Sequence, residues 1–287
     1  MLKNSELLLA ASVPLLWGIG FTFAKFGLNE FPPLFLMGLR FSLASLLLVW
    51  FFSIPHGQLK QIFWISFVGY TLRYGMTFTG LSILDASLAI IIIQLGVPFS
   101  VLLAAIIFKE NWYSTYTGNV DFFVGIVLIV GQPSLRGQLP AILLTAAGTM
   151  MWAVGQVMVK RLENPPSGFA LITWIGVFSG PQMILGSFIF EEYQFASLVN
   201  ASWISWGVIV YLALIMTVLG YGIWYHVLYR NPVSKVMPFM LLLPVFTIAS
   251  SMFFLGEQPS LMIFIGGAVV IGGVSMIVLA KDSKPIS

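Results

Sequence analysis

The stretch WGIGFTFAK occupies residues 17–25 of the chain, and the stretch WAVGQVMVK occupies residues 152–160. Both place tryptophan, glycine and lysine at the same spacing, and the second copy begins 135 positions after the first. Each copy lies inside an apolar run long enough to cross a lipid bilayer. The repeat therefore predicts a chain built from two related halves.

The composition of the 287-residue chain points to lipid as its main solvent. Hydrophobic residues make up 59% of the chain and charged residues only 8%, whereas a soluble domain carries about 25% charged residues. The chain has no cysteine, which excludes disulfides and thiolate chemistry. The first apolar run continues to about Leu28 without a convincing small-residue cleavage site, so we interpret it as the first membrane span.

Ten apolar segments approach the roughly 20 residues that a transmembrane helix requires. Breaker signals such as Pro32-Pro33 and Asn231-Pro232 separate them. The predicted spans are 6–28, 32–53, 61–81, 84–108, 117–133, 138–160, 168–190, 203–229, 233–255 and 260–280. Because the loops between them are short, the prediction is an all-α integral membrane protein without an extramembrane domain.

The basic residues outside the spans favour one side of the membrane. With ten spans both termini lie on the same side, which then holds nine basic residues, whereas the opposite side holds Lys25 and Arg136. The nine are Lys3, Lys60, Lys109, Lys160, Arg161, Arg230, Lys235, Lys281 and Lys284. Short cytoplasmic loops carry the excess of Lys and Arg in membrane proteins. Both termini are therefore predicted to be cytoplasmic.

Further matches relate the two halves. Tyr74 matches Tyr221 and Glu110 matches Glu257, both at an offset of 147 positions. The predicted halves are residues 1–133 and 134–287, with five spans each. An odd number of spans makes the second half enter the membrane from the opposite side. The fold prediction is thus ten transmembrane helices arranged as two inverted five-helix repeats, with a binding site where the repeats meet.

Several motifs carry a resemblance to a known family. They are Trp17-Gly18 with Lys25, Arg40-Phe41 after Pro32-Pro33, and the series Pro98, Glu110, Gly118 and Pro244, Glu257, Gly266. By these motifs the chain resembles the drug/metabolite transporter superfamily, and within it the ten-span EamA-type exporters, over nearly its whole length. It departs from the family pattern after Glu110, at Asn111–Tyr116 and Asp121.

The resemblance implies export of amino acids or related metabolites across the cytoplasmic (inner) membrane of a bacterium. Aromatic amino acid exporters are the group that the chain most resembles. The outward direction rests on the resemblance alone. A multidrug or cationic aromatic compound exporter is the alternative, because aromatic walls also attract cations. The exact substrate, the resting conformation and the choice between monomer and homodimer stay open.

Aromatic residues at helical spacing form the first set of candidate substrate-binding residues. In span three these are Tyr70, Tyr74 and Phe78, and in span eight they are Tyr221 and Tyr225 with His226 alongside. Residues four apart share one face of a helix. Tyrosine hydroxyls are costly in lipid without a partner, which favours a cavity-facing orientation at mid-span. The alternative is that these aromatics pack helices together or form an interface belt.

Tryptophans and amides inside the spans form the second set. Trp17 and Trp152 are each followed by a glycine three residues later, a pattern that suits either a gate and pocket wall or tight helix packing. Gln94 and Gln156 are amides within apolar runs, where they cost several kcal/mol unless bonded. They either bind the zwitterionic backbone of an amino acid or bridge helices.

Charged residues inside the spans are functional candidates by default. Arg40 either holds a substrate carboxylate, pairs with Glu30 or caps carbonyl groups. Arg73 either faces the same cavity or extends outward to the membrane surface. Glu257 falls in a loop, where a helix-dipole or latch role is expected.

The residue types that are missing from the spans bear on the mechanism. No Asp or Glu lies at mid-span and no Gly-rich phosphate loop is present, so we expect alternating access driven mainly by the substrate gradient. Asp121 is expected to be structural rather than ion-coupling. The two histidines, His56 and His226, lie far apart, so neither a metal site, a cofactor nor an enzymatic activity is expected. The expected partners are a small-molecule substrate and the lipid bilayer, with no nucleic acid.

Overall fold

The computed structural model describes residues 4–108, 137–163, 165–230 and 237–279, and these residues form helices with short connections and no strand. The helices before the first gap are α1 (Asn4–Gly27), α2 (Pro33–Leu48), α3 (Leu59–Ser66), α4 (Arg73–Ile83), α5 (Ala86–Ile93) and α6 (Gly96–Phe108). Those after it are α7 (Leu139–Lys160), α8 (Gly168–Phe190), α9 (Gln194–Asn200), α10 (Trp203–Val210), α11 (Gly220–Arg230), α12 (Leu242–Phe254) and α13 (Leu261–Leu279). Short 3₁₀ turns occupy Val49–Phe51 and Met237–Leu241.

The described helices are apolar enough to lie in a membrane. Five stretches among the described residues are long and apolar enough to cross one, namely Leu8–Gly27, Pro33–Phe51, Leu139–Lys160, Gly168–Phe190 and Trp203–Trp224. Large apolar side chains cover the outside, among them Trp50 at 80% and Trp203 at 83% exposure. Such a surface suits contact with lipid. The predicted class, an all-helical membrane protein, is confirmed.

The described residues of the other nine predicted spans are mostly helical, and 117–133 itself lies outside the described residues. The segment predicted as one span at 84–108 is divided at Gln94-Leu95 into α5 and α6. Pro98 explains the division, since it has no N–H to donate to the Gln94 carbonyl. The chain tightens there, with Leu95 N donating to the carbonyl of Ile92 at 3.0 Å.

The segment 191–202, predicted as a loop, contains the short helix α9. Its first residue, Gln194, donates from Nε2 to the carbonyls of Ser187 (2.7 Å) and Glu191 (2.8 Å) at the end of α8. These bonds satisfy carbonyls that a helix end leaves unpaired. Gln194 therefore caps the end of α8 and is also the first residue of α9.

Two glycines let helices of the two predicted halves touch backbone to backbone. A Cβ atom at Gly69 would lie 2.9 Å from Cα of Gly155, and one at Gly155 would lie 2.5 Å from Cα of Gly69. Small residues at such crossings are typical of membrane helix pairs. Gly155, the glycine three residues after Trp152, therefore serves helix packing.

Two segments of π-helix interrupt long helices near the middle of the bundle. Phe67–Leu72 joins α3 to α4, and Tyr211–Leu219 joins α10 to α11. A π-helical turn changes the phase of the helix and the pairing of its carbonyls, and such turns often lie at functional sites. Both segments contribute residues to the cavity described below.

One end of the bundle is closed by hydrogen bonds between side chains and helix ends. We call it the Lys25 end; the opposite end, where α7 ends and α8 begins, is the Lys160 end. Lys25 Nζ donates to the carbonyls of Leu81 (2.7 Å), Ser82 (3.1 Å) and Leu84 (2.6 Å) at the end of α4. The last carbonyls of a helix lack intrahelical partners, and a cation there also suits the helix dipole. Lys25 therefore holds the chain between α4 and α5.

Carboxylates cap three helix starts at the Lys25 end. Glu257 accepts bonds at the start of α5 from Ala86 N (2.6 Å), Ser87 N (3.1 Å) and the Ser87 hydroxyl (2.6 Å). Glu30 accepts from the backbone and hydroxyl of Ser202 before α10, at 2.6 and 2.9 Å. Glu191 accepts from the first N–H groups of α2. Each carboxylate joins a helix start to a distant part of the chain.

Candidate functional site

A cavity of about 430 Å³ lies in the middle of the bundle, and helices of both predicted halves line it. Pockets of roughly 300–1,000 Å³ are typical of small-molecule sites. The predicted site residues that line it are Trp17, Arg40, Tyr70, Tyr74, Gln94, Trp152, Gln156 and Tyr221. The structure thus brings together residues from distant parts of the sequence.

An aromatic cluster forms one wall of the cavity. The ring centroids of Trp17 lie 5.1 Å from Tyr221 and 6.1 Å from Trp224, in tilted arrangements. The indole N–H of Trp17 donates to the carbonyl of Met216 at 2.9 Å, in the second π segment. A side chain at Gly220 would collide with the same indole nitrogen, so glycine is required there. A backbone carbonyl of the second predicted half therefore fixes a tryptophan of the first.

Two guanidinium groups lie near the ring of Tyr74, which also lines the cavity. The Cζ atom of Arg40 is 5.2 Å from the centroid of its ring, and that of Arg73 is 4.6 Å away. Arg73 also lies 5.4 Å from the ring of Trp152. Cations over aromatic faces gain about 0.5–2 kcal/mol each, which offsets only part of the cost of removing the charges from water.

Arg40 is completely buried, with 0% of its side chain exposed. Its Nε donates to the hydroxyl of Thr217 at 2.9 Å, and Nη1 lies 3.7 Å from the sulfur of Met37. The Thr217 hydroxyl donates its own hydrogen bond to the carbonyl of Leu212 at 2.9 Å. Arg40 therefore does not pair with Glu30, one of the alternatives the sequence leaves open, because Glu30 caps α10.

Polar side chains complete the lining. Gln94 is buried and Gln156 half-buried, and both border the cavity. Thr77 and Ser100 also line it, and their buried hydroxyls have no hydrogen-bond partner among the described residues. Buried hydroxyls of this kind are available to a bound molecule.

Three predicted site residues do not contribute described side chains to the lining. Phe78 is fully buried in the core, where its ring stacks on Phe21 at 5.9 Å. His226 is exposed on the surface of α11. The side chain of Tyr225 lies outside the described part of the chain.

The sequence reasoning missed lining residues that carry no polar signal. Met216 borders the cavity, and Thr217 orients Arg40 from beside it. Trp224, which the sequence places alongside the aromatic residues of span eight, also lines the cavity, because it lies three residues after Tyr221 and shares its helical face. The role of Thr217 depends on a contact between residues 177 positions apart, which no local pattern shows.

The cavity lies nearer to the Lys160 end than to the Lys25 end. Its lining includes Gln156 and Val159 in the last turn or so of α7 and Leu171 in the first turn of α8. Towards the Lys25 end the lining on α1 stops at Phe21, one turn before Lys25. The hydrogen bonds of the Lys25 end lie beyond it.

An apolar helical bundle around a central cavity of aromatic and polar side chains is the architecture of a small-molecule transporter. Among the described residues no group of three His, Cys, Asp or Glu side chains lies close enough to hold a metal ion.

Comparison with known proteins defines the family. The chain matches the model of the EamA-like transporter family over residues 4–131 and again over 139–279. It therefore belongs to the EamA-like transporter family, as its motifs predicted, and it is a transporter rather than an enzyme.

Its relatives include two proteins named "Probable amino-acid metabolite efflux pump". The one from Escherichia coli K12 is 28% identical over 95% of this chain and 94% of its own length. The one from Salmonella typhimurium is 30% identical over 92% of each chain. A crystal structure with 18% identity covers all of both chains with a TM-score of 0.68, a likeness in fold alone.

Proposed function

We propose that the chain exports amino acids or related small metabolites that carry an aromatic group, across the inner membrane of a bacterium. The proposal includes ten spans in two inverted five-helix repeats, residues 1–133 and 134–287, which rock about the cavity with both termini in the cytoplasm. The observation that carries it is the cavity itself, because residues of both halves line it. Two relatives named as amino-acid metabolite efflux pumps support the substrate class.

Contacts between the halves support alternating access. Trp17 bonds the carbonyl of Met216, and Arg40 bonds the hydroxyl of Thr217, so the second half holds two cavity residues of the first. Rocking of one half against the other would change both contacts at once. The closed Lys25 end and the lining near Lys160 support a state in which the cavity faces the cytoplasm.

Facilitated flow is the proposed driving mode. None of the described residues that line the cavity is an Asp or Glu. Proton- and sodium-coupled transporters usually carry such a carboxylate in the membrane interior. The gradient of the substrate itself would then set the direction of net transport.

Counterflow in liposomes tests the proposal. Liposomes that hold purified protein and unlabelled phenylalanine or tryptophan should take up the labelled amino acid without a pH gradient. Tyr74→Ala and Tyr221→Ala should reduce this uptake at least about tenfold, since each removes an aromatic wall. Phe188→Ala, on the outer surface at 48% exposure, is the matched control and should transport normally.

A multidrug or cationic aromatic compound exporter is the competing proposal. The aromatic cluster would serve it equally well, because aromatic faces attract cations. Arg40 and Arg73 both line the cavity and would repel a cation. Movement of a cationic dye without movement of either amino acid would favour this alternative and contradict the first proposal.

A further inference from the structure

The charged residues among the described lining of the cavity are all positive. Arg40 and Arg73 line it, and none of the described lining residues is acidic. Their nearest partners are neutral: a hydroxyl and a thioether for Arg40, and aromatic rings for both. A buried cation without a counter-charge costs several kcal/mol. An anion that enters the cavity recovers part of that cost.

We propose that Arg40 and Arg73 form a carboxylate-binding subsite beside Tyr74, and that the preferred substrate is an aromatic acid that carries a net negative charge. The chemical class is an N-acylated aromatic amino acid or the corresponding 2-oxo acid. Guanidinium groups present paired N–H donors that match a carboxylate. The inference rests on the proposed transport function and narrows its substrate.

The amine of a free amino acid finds no partner of opposite charge among the described residues of this cavity. Its ammonium would stand beside two guanidinium groups, and Arg73 already lies close to the rings of Tyr74 and Trp152. A neutral carbonyl group in place of the ammonium avoids this repulsion. The hydroxyl of Thr77, one helical turn after Arg73, is buried and has no partner among the described residues.

The second π segment joins the proposed carboxylate subsite to the aromatic cluster. Met216 holds the indole of Trp17 through its carbonyl, and the next residue, Thr217, holds Arg40. The ring of an aromatic acid would lie against Trp17, Tyr221 and Trp224, while its carboxylate meets the guanidinium groups. One segment thus positions both ends of the substrate.

Three ligands with the same phenyl ring and different charge test the inference. N-acetylphenylalanine is an anion, phenylalanine a zwitterion and phenethylamine a cation at neutral pH. Binding to the full purified chain is measured by thermal shift and by titration of tryptophan fluorescence. N-acetylphenylalanine should bind about 10- to 100-fold more tightly than phenylalanine, and phenethylamine most weakly, since hydrogen bonds to charged groups contribute about 1.5–3 kcal/mol.

Variants separate a carboxylate site from a general effect on the cavity. Arg73→Gln should weaken N-acetylphenylalanine at least about tenfold and leave phenethylamine unchanged or tighter. Thr77→Val should weaken N-acetylphenylalanine more than phenylalanine. Lys60→Gln removes an exposed positive charge that does not line the cavity and should change none of the affinities.

The possible results distinguish this inference from the proposed function. Phenylalanine that binds as tightly as N-acetylphenylalanine overturns the inference and leaves amino acid export standing. An equal loss of all three ligands in Arg73→Gln also overturns it, because the arginine then only shapes the cavity. If none of the three binds and none moves in counterflow, the proposed function itself fails.

Discussion

The Lys25 end and the central cavity treat charged side chains in opposite ways. At the Lys25 end, Lys25 and the carboxylates of Glu30, Glu191 and Glu257 are bonded to backbone groups at helix ends. In the cavity, Arg40 and Arg73 face a hydroxyl, a thioether and aromatic rings. The first set completes the hydrogen bonding of the fold. The second set leaves positive charge for a molecule that comes from outside.

Mutations in the two regions should therefore affect different properties of the protein. A charge that completes the backbone of a helix end should affect stability more than transport. A charge held by weak neutral partners should affect transport more than stability. The comparison fails if variants of the two regions behave alike.

Arg40→Met is expected to show the largest effect, on transport. It removes a completely buried charge while keeping much of the side-chain volume, and Thr217 keeps its bond to the Leu212 carbonyl. Counterflow should fall at least about 100-fold, because hydrogen bonds to a charged substrate group are lost. The melting temperature should stay the same or rise, since replacing a buried charge with an apolar side chain is often neutral or stabilising by about 1–4 kcal/mol.

Paired assays in one detergent, melting and counterflow, measure this. A fall in melting temperature with proportional loss of transport would make Arg40 a structural residue. That result would remove the distinction between the two regions.

Glu257→Gln is expected to show the next largest effect, on stability. Its carboxylate accepts two backbone bonds and a hydroxyl bond at the start of α5. An amide has a single acceptor oxygen and cannot accept all of them, so the variant should lose about 1–2 kcal/mol of stability. Its folded fraction should still transport.

The matched control for this variant is Glu192→Gln. Glu192 is exposed at the same end of the bundle, between Phe190 and α9. Its melting temperature should not change. A Glu257→Gln protein that melts normally but does not transport would assign Glu257 to the transport cycle instead.

Hydropathy predicted the helices well because a backbone in lipid must satisfy its own hydrogen bonds. The pattern could not locate the division of span four at Gln94-Leu95, because the run is apolar on both sides of it. The π segments were equally invisible. His226, predicted beside Tyr221 and Tyr225, follows Tyr221 by five residues on the same helix, so it lies off the face that carries Tyr221, and the structure exposes it.

The candidate site was partly predictable for a related reason. Polar and aromatic residues within apolar runs, such as Tyr74 and Gln94, stand out because lipid penalises them. Phe78 shares the spacing of Tyr74 but packs on Phe21, which a single helix pattern cannot reveal. The partners of Arg40 depend on how distant helices meet. The sequence therefore predicted which residues of one helix are unusual in lipid, but it did not predict which residues of other helices they contact.

Glu30 provides the smallest expected effect and extends the comparison to acid pH. The Ser202 backbone N–H and hydroxyl bonds lower the pKa of Glu30 below its ordinary value of 4.5. Folding therefore favours the ionised carboxylate, which stabilises the folded state at pH values above the ordinary pKa of 4.5. The contribution is lost as the pH falls through the lowered folded pKa. Because Glu30 is exposed, solvent screening keeps the contribution small.

Melting temperatures of the wild type and Glu30→Gln, compared from pH 7 to about pH 3, check this. The introduced amide would mimic the protonated side chain, so the wild type should melt slightly higher at neutral pH and the two should converge in acid. Adding Ser202→Ala to Glu30→Gln should cause no further pH-dependent difference, because the titrating carboxylate that accepts the Ser202 bonds is already absent. A wild-type advantage that persists at about pH 3 would mean that Glu30 acts through its shape, and that the Lys25 end is held by packing more than by charge.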